Sequence, residues 1–355
     1  MKKLILNLDF LLSLVFSFIF LAFALFGCAT PKDDVVHVND GGRDTKPADA
    51  SHDGAGNDAD ADADADMDAD ADADAGDGGP KSGCGNGRIG PYDETVTIDY
   101  YSVMRTYRLI VPATYDDEKP APLIATFHDY GETVDQHIDR SGLKDLSDKE
   151  GVIILAALAL DDPDAGVPSW NTSQPGSPQA DDILLVRDLI LELYSRWCID
   201  MDRLYLTGFG RGAFMASRTM FWLSEMFAAS QIESGGVISA CRPPVKRRPV
   251  ILFHGDQDTV DPISGGESAR NYWRVHDEIS SQHTTDSNGC EIYDTPNPDA
   301  GVWADAGPQD LEIRFCPVQG MGHARAGVPD SPEDGTMALY KATDLGWQFL
   351  KRFKR

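Results

Sequence analysis

Basic residues are scarce in this chain. Lys and Arg number 31 against 58 Asp and Glu, a formal net charge of −27 over 355 residues. A nucleic-acid binder needs a basic face to meet phosphates, so that class is excluded. Neither a Cys-x-x-Cys pair nor a His cluster occurs. The donor sets of zinc sites are therefore missing, and no metal or cofactor is expected. Glu is absent from residues 32–80, which hold 16 Asp and only Lys32, Arg43 and Lys46 as cations. That stretch carries nearly half of the net acidity and says little about a folded part. Apolar residues are not short: they make up 42%, with 25% charged, which is ordinary globular usage and excludes wholesale disorder. The length allows about two domains of ~150 residues, or one large α/β domain with extensions.

The N-terminus reads as an export signal. Lys2 and Lys3 precede an apolar run from Phe10 to Gly27, which ends in Leu25-Phe26-Gly27-Cys28. This resembles a bacterial lipobox, in which the Cys thiol is acylated and becomes the first mature residue. Residues 1–28 are thus expected to be a lipoprotein signal peptide, with the membrane met through lipid on Cys28. The other reading is an uncleaved anchor, since a run of this length just spans a bilayer. Both tether the rest outside the cytoplasm, and Ala29 after the Cys resembles outer-membrane sorting. Residues 29–83 are expected to be a disordered Asp/Ala-rich linker. Asp alternates with Ala from Asp58 to Asp74, broken once by Met67, burying nothing and repelling itself. An EF-hand would need Gly after its third ligand and a closing Glu, whereas Ala75 follows Asp70-Ala71-Asp72-Ala73-Asp74. A solvated spacer is the better reading.

From Cys84 onward apolar, β-branched runs alternate with helical patterns. Strands are expected at Thr95–Tyr100, Tyr107–Pro112, Leu123–His128, Val152–Leu158, Leu204–Thr207, Val250–His254 and Leu311–Cys316. Helices are expected at Asp182–Trp197, Arg211–Leu223 and Met337–Phe353. Such alternation predicts an α/β fold over residues 84–355, a mostly parallel central sheet with helices on both faces. An exported chain with six Cys points to disulfides. With Cys28 acylated, Cys84, Cys198, Cys241, Cys290 and Cys316 remain. Five is odd, so at least one lacks a partner within the chain. Cys290 with Cys316 is the first pair to expect, closing a loop ahead of His323.

The chemistry-bearing stretch is Arg203-Leu204-Tyr205-Leu206-Thr207-Gly208-Phe209-Gly210-Arg211-Gly212-Ala213. A strand enters a tight Gly-rich turn and a helix follows, the setting of the G-x-S-x-G nucleophile elbow. The central residue is Gly210, not Ser. Val250-Ile251-Leu252-Phe253-His254-Gly255-Asp256-Gln257-Asp258 is a buried strand ending in an acidic loop. Gly320-Met321-Gly322-His323-Ala324 places a His after the last strand. The order elbow, Asp, His is that of α/β-hydrolases.

These motifs, with Tyr107-Arg108-Leu109-Ile110-Val111-Pro112, Pro122-Leu123-Ile124-Ala125-Thr126-Phe127-His128 and Asp181-Asp182 before Cys198-Ile199-Asp200, occur in the order of one family. Residues 84–355 resemble the secreted polyhydroxybutyrate depolymerase, feruloyl esterase and acetylxylan esterase-like α/β-hydrolases. The resemblance implies an ester, polyester or polysaccharide ligand. It implies Asp258 as the triad acid, with Asp256 and Asp261 as alternatives, and His323 as the general base. It implies an oxyanion hole from the backbone N–H of Arg211 and one of Asp129 or Tyr130, although Asp129 stands where the family usually has Gly. Trp170 matches an aromatic of the substrate cleft, or simply packs. Gly210 is a degenerate nucleophile position and cannot form an acyl-enzyme. Three readings follow: a binding pseudoenzyme, a weak hydrolase in which His323 activates water, or an active parent whose Ser was lost by error or strain variation.

Overall fold

Why the chain builds a sheet buried on both faces is clearest in β3 (Ala121–Phe127), where every residue is buried. Leu123, Ala125 and Phe127 belong to one apolar cluster and Ile124 to a second, so the two-residue strand period serves both layers. In the computed structural model the described residues are 82–172, 181–237, 244–297, 311–328 and 341–355. All fall within Gly78–Arg355, one of two units into which the chain divides. The signal peptide, Cys28, nearly all of the linker, Cys241 and the start of the C-terminal helix lie outside the described residues.

The remaining strands are β1 (Tyr92–Tyr100), β2 (Val103–Val111), β4 (Ile153–Ala157), β5 (Ile199–Phe209), β6 (Ala229–Glu233), β7 (Val250–Gly255), β8 (Thr284–Thr285), β9 (Glu291–Tyr293) and β10 (Ile313–Val318). They form one sheet in the order β1-β2-β4-β3-β5-β6-β7-β10-β9-β8. The six central strands from β4 to β10 pair in parallel, and the two strands at each edge pair antiparallel. The helices are α1 (Val134–Ser141), α2 (Leu143–Glu150), α3 (Asp182–Arg196), α4 (Arg211–Leu223), α5 (Ile263–His276) and α6 (Ala342–Leu350). Buried residues of α3, α4 and α5 join the larger cluster, and those of α1, α2 and α6 the other. This is the α/β-hydrolase layering, with helices on both faces.

The order reverses at β3: the chain moves outward to β4, then returns past β3 to β5. Parallel sheets leave a crevice at such a switch, beyond the C-terminal strand ends. The turns after β3 and β5 hold Asp129 and Gly210, and those after β7 and β10 hold Asp258 and His323.

Two disulfides are described, Cys84–Cys198 and Cys290–Cys316. Among the described residues no cysteine is free. The first staples the start of the unit to the approach to β5, where the Gly83 N–H donates to the Tyr194 carbonyl at 2.8 Å.

Candidate active site

The elbow forms without its serine. Gly210 has φ 55° and ψ −120°, a conformation that costs a side-chain-bearing residue energy and glycine little. Its flanking glycines have no room for a side chain: a Cβ on Gly212 would fall 2.1 Å from the Phe127 carbonyl oxygen. What lies over Gly210 is the carboxylate of Asp129. A Cβ on Gly210 would meet Asp129 Oδ1 at 2.2 Å and its Cγ at 2.4 Å. Gly210 and Asp129, the two positions expected to depart from the esterase pattern, therefore meet in space. A side chain missing on one wall of the crevice is supplied from the other.

Asp129 makes polar contacts there as well as filling the space. The Arg211 N–H donates to Oδ1 at 2.7 Å, and His323 Nε2 lies 3.3 Å from Oδ2. The other ring nitrogen, Nδ1, lies 2.9 Å from Asp258 Oδ2. Gly210 offers no side-chain cap to α4. The carboxylate caps that helix from across the crevice, where the positive end of its dipole favours an anion. Asp258 is buried, and its Oδ1 accepts from the N–H groups of Val260 and Asp261. Burial raises the Asp258 carboxyl pKa, but His323 and these amides outweigh it and hold it below the usual value. Burial pulls the His323 imidazole down. The hydrogen bonds and charges of Asp129 and Asp258 outweigh that and push its pKa up to about 10. At neutral pH His323 is an imidazolium donating to two carboxylates, not a base facing a hydroxyl.

No protein-family model matches the chain. Feruloyl esterase B of Piromyces equi is 26% identical over 268 residues, covering 68% of this chain and 44% of that protein. Feruloyl esterase C of Emericella nidulans is 23% identical over 252 residues, covering 69% of this chain and 83% of that protein. The chain thus spans less than half the length of the first of these relatives. The solved acetyl xylan esterase from Aspergillus awamori superposes with a TM-score of 0.51 at 15% identity, covering 66% of this chain and 94% of that one. This last likeness speaks for the fold alone. The chain has the α/β-hydrolase fold and is similar in sequence to feruloyl esterases.

Within this crevice the expected residues are placed as follows. Asp258 faces His323, whereas Asp256 Oδ1 accepts from the Gly320 N–H at 2.7 Å and the Asp261 carbonyl lies 2.6 Å from His254 Nε2. The Arg211 amide is at the hole but is taken by Asp129. The backbone N–H of Asp129, expected as a second donor, instead donates to Glu132 Oε2 at 3.1 Å. Asp129 enters the site through its side chain and not its amide, because the turn after β3 is drawn toward Glu132. Tyr130 is half exposed and lines the cavity beside the carboxylate. Trp170 is only 1% exposed, stacked edge-on against Phe127, with its indole N–H donating to the His128 carbonyl at 2.7 Å. It packs the loop, its ring almost wholly buried at the edge of a second cavity that Arg211 also lines.

Sequence reading missed the residues that hold Asp129. His128 Nδ1 bonds the Asp129 carbonyl at 2.6 Å while its Nε2 accepts from the Ala159 N–H, a neutral tautomer that burial favours by lowering the ring's pKa. Glu132 accepts two bonds from Arg325 and one from Arg140. Burial raises the Glu132 carboxyl, but His137 and Arg325 overcome that and hold it well below the usual range. The Arg325 guanidinium lies over Phe209, 4.2 Å from the ring centroid. The available signal was proximity to the motifs: Glu132 is three residues after Asp129, and Arg325 is two after His323. A cavity of about 400 Å³ adjoins the carboxylate, lined by Asp129, Tyr130, Arg140, Phe209, His323 and Arg325 among others. Among the described residues no cluster of side chains suits a metal ion.

Proposed function

We propose that this is an esterase-fold binding protein that holds an ester or polymer ligand in its crevice without cleaving it. The observation that carries the reading is the Asp129 carboxylate lying over Gly210 and taking the Arg211 amide. Gly210 has no nucleophile, and loss of a triad serine costs about 10⁶ in kcat. Asp129 cannot replace it on an ester. Attack at the acyl carbon leads toward an anhydride, and the tetrahedral adduct expels the better leaving group, the carboxylate itself. A water-based hydrolysis needs neutral His323, and the two flanking carboxylates keep it protonated until about pH 10.

The names of the sequence relatives suggest feruloyl esters as ligands, and polyesters belong to the same chemistry. The lipobox at Cys28 supports a protein tethered to the cell envelope, outside the cytoplasm. The test is hydrolysis of para-nitrophenyl acetate and methyl ferulate by the full chain at neutral pH, beside calorimetric binding of methyl ferulate and feruloylated arabinoxylan. Binding without turnover supports the proposal, and His323-dependent turnover at neutral pH overturns it. Palmitate labelling in a bacterial host, abolished by Cys28→Ala, tests the tether.

A further inference from the structure

We propose that Asp129 is a covalent nucleophile toward saturated carbon, so that the crevice takes alkylating electrophiles: compounds whose sp³ carbon carries a leaving group. This rests on the absence of acyl-serine chemistry at Gly210 and goes beyond it. The same carboxylate that is futile against an acyl carbon is effective against an alkyl carbon, because the product is a stable ester and not an anhydride.

The geometry supplies both halves of a cycle. Asp129 Oδ1 is tied to the Arg211 N–H at 2.7 Å, which leaves Oδ2 toward His323 at 3.3 Å. The side chain borders the cavity of about 400 Å³ and is 22% exposed, so a substrate can reach it. In the first half, an Oδ2 electron pair forms a bond to the substrate carbon, and the carbon–leaving-group bond breaks with its pair on the leaving group. A halide departs as the anion. An epoxide oxygen stays attached and takes a proton. Asp129 is now a neutral ester, so His323 has lost one of the two charges that kept it protonated. Its proton passes to that oxygen or to solvent.

In the second half, neutral His323 Nε2 removes a proton from water, and the water oxygen adds to Asp129 Cγ. The negative charge arises on Oδ1, already placed against the Arg211 N–H as in an oxyanion hole. Collapse breaks the Cγ–Oδ2 bond. The alcohol leaves with the former Oδ2 and the proton from His323, and the second water proton passes from the new Asp129 carboxyl to His323, which restores the imidazolium and a carboxylate with one oxygen from water. The sum is an alkyl electrophile plus water giving an alcohol plus the protonated leaving group, or a diol from an epoxide. Asp258, bonded to Nδ1 at 2.9 Å, stabilises the imidazolium in both halves.

The experiment uses the full chain with para-nitrophenyl glycidyl ether in one arm and para-nitrobenzyl bromide in the other. Intact mass, peptide mapping and product analysis are run in ordinary and oxygen-18 water. The expected result is one adduct on the Asp129 peptide, absent in Asp129→Asn, and a single turnover that leaves oxygen-18 in Asp129 and not in the product. His323→Gln should still alkylate but discharge about 100-fold more slowly, so that the ester accumulates. Reaction in the epoxide arm alone assigns a leaving oxygen that needs a proton, and in the bromide arm alone a leaving anion. Absence of both adduct and oxygen-18 at Asp129 with either probe overturns the proposal, as does equal labelling of Asp129→Asn. The wild-type peptide map decides even where a variant fails to fold. Ester turnover is read separately, so the two proposals fail independently.

Discussion

Restoring the serine alone should damage the protein. In Gly210→Ser the new Cβ would lie 2.2 Å from Asp129 Oδ1, so the carboxylate must swing away. It then loses the Arg211 N–H, a charge-assisted bond worth about 1.5–3 kcal/mol. The serine must also adopt φ 55°, ψ −120°, at about 1–3 kcal/mol. The expected cost is about 3–5 kcal/mol, or a melting point lower by about 10 °C for a domain of this size. In an Asp129→Gly background the displaced carboxylate is gone and only the backbone strain remains. The double variant should therefore be more stable than the two single changes predict, with a coupling of about 2 kcal/mol. It should also gain ester hydrolysis, by about 10³-fold or more over the natural protein, because the hole is open, His323 is released from one carboxylate and a hydroxyl is present. Thermal melts and para-nitrophenyl acetate turnover on the four proteins complete the cycle. The reasoning fails if Gly210→Ser melts at or above the natural protein, or hydrolyses as well as the double variant.

Other outcomes follow from the same contacts. His323 has its pKa raised from about 6.5 unfolded to about 10 folded. Its stabilising contribution is thus complete below about pH 6.5 and is lost as pH rises through about 10. The melting point should fall between pH 7 and 10, and less so in Asp129→Asn; equal slopes would contradict the contact. Trp170→Ala should cost about 3–5 kcal/mol by denaturant unfolding while leaving ligand affinity in the remaining folded protein unchanged, since the ring is buried. Replacing Cys84 and Cys198 by Ser opens a separation of 114 residues and should cost about 4–5 kcal/mol, more than the same change at Cys290 and Cys316, separated by 26.

Much of the fold is legible in the sequence because it is carried by local patterns. The helix Arg211–Leu223 has the bounds its periodicity predicts, and the strand expected at Val250–His254 starts there and runs one residue further, to Gly255. Strand β6 does not announce itself. Ala229-Ser230-Gln231-Ile232-Glu233 is half polar yet wholly buried, because Gln231 Nε2 donates to Glu233 Oε1 at 2.7 Å and the backbone pairs on both sides. Helices α1 and α2 are short and polar, and much of their definition comes from packing and from the Thr133–Gln136 capping box. The candidate site was legible as a set of motifs but not as a pair of exchanges. Asp129 and Gly210 lie 81 positions apart, and each alone reads as a defect. Only the fold puts the carboxylate where the hydroxyl would be. That complementarity also bears on accidental loss of the serine, since a single Ser-to-Gly change would not bring a carboxylate to position 129.

The disulfide between Cys84 and Cys198 has a mechanical consequence. Cys198 directly precedes β5 and Gly210 directly follows it; with the register shift near its start, the strand separates the staple from the crevice by about 25 Å. The C-terminus is tied to the same pole, where the Arg355 N–H donates to the Asp202 carbonyl at 2.8 Å. Cys84 and Arg355 therefore both lie at the pole opposite the crevice. Load entering the unit at Cys84 passes through a covalent bond into the end of the central strand farthest from the crevice.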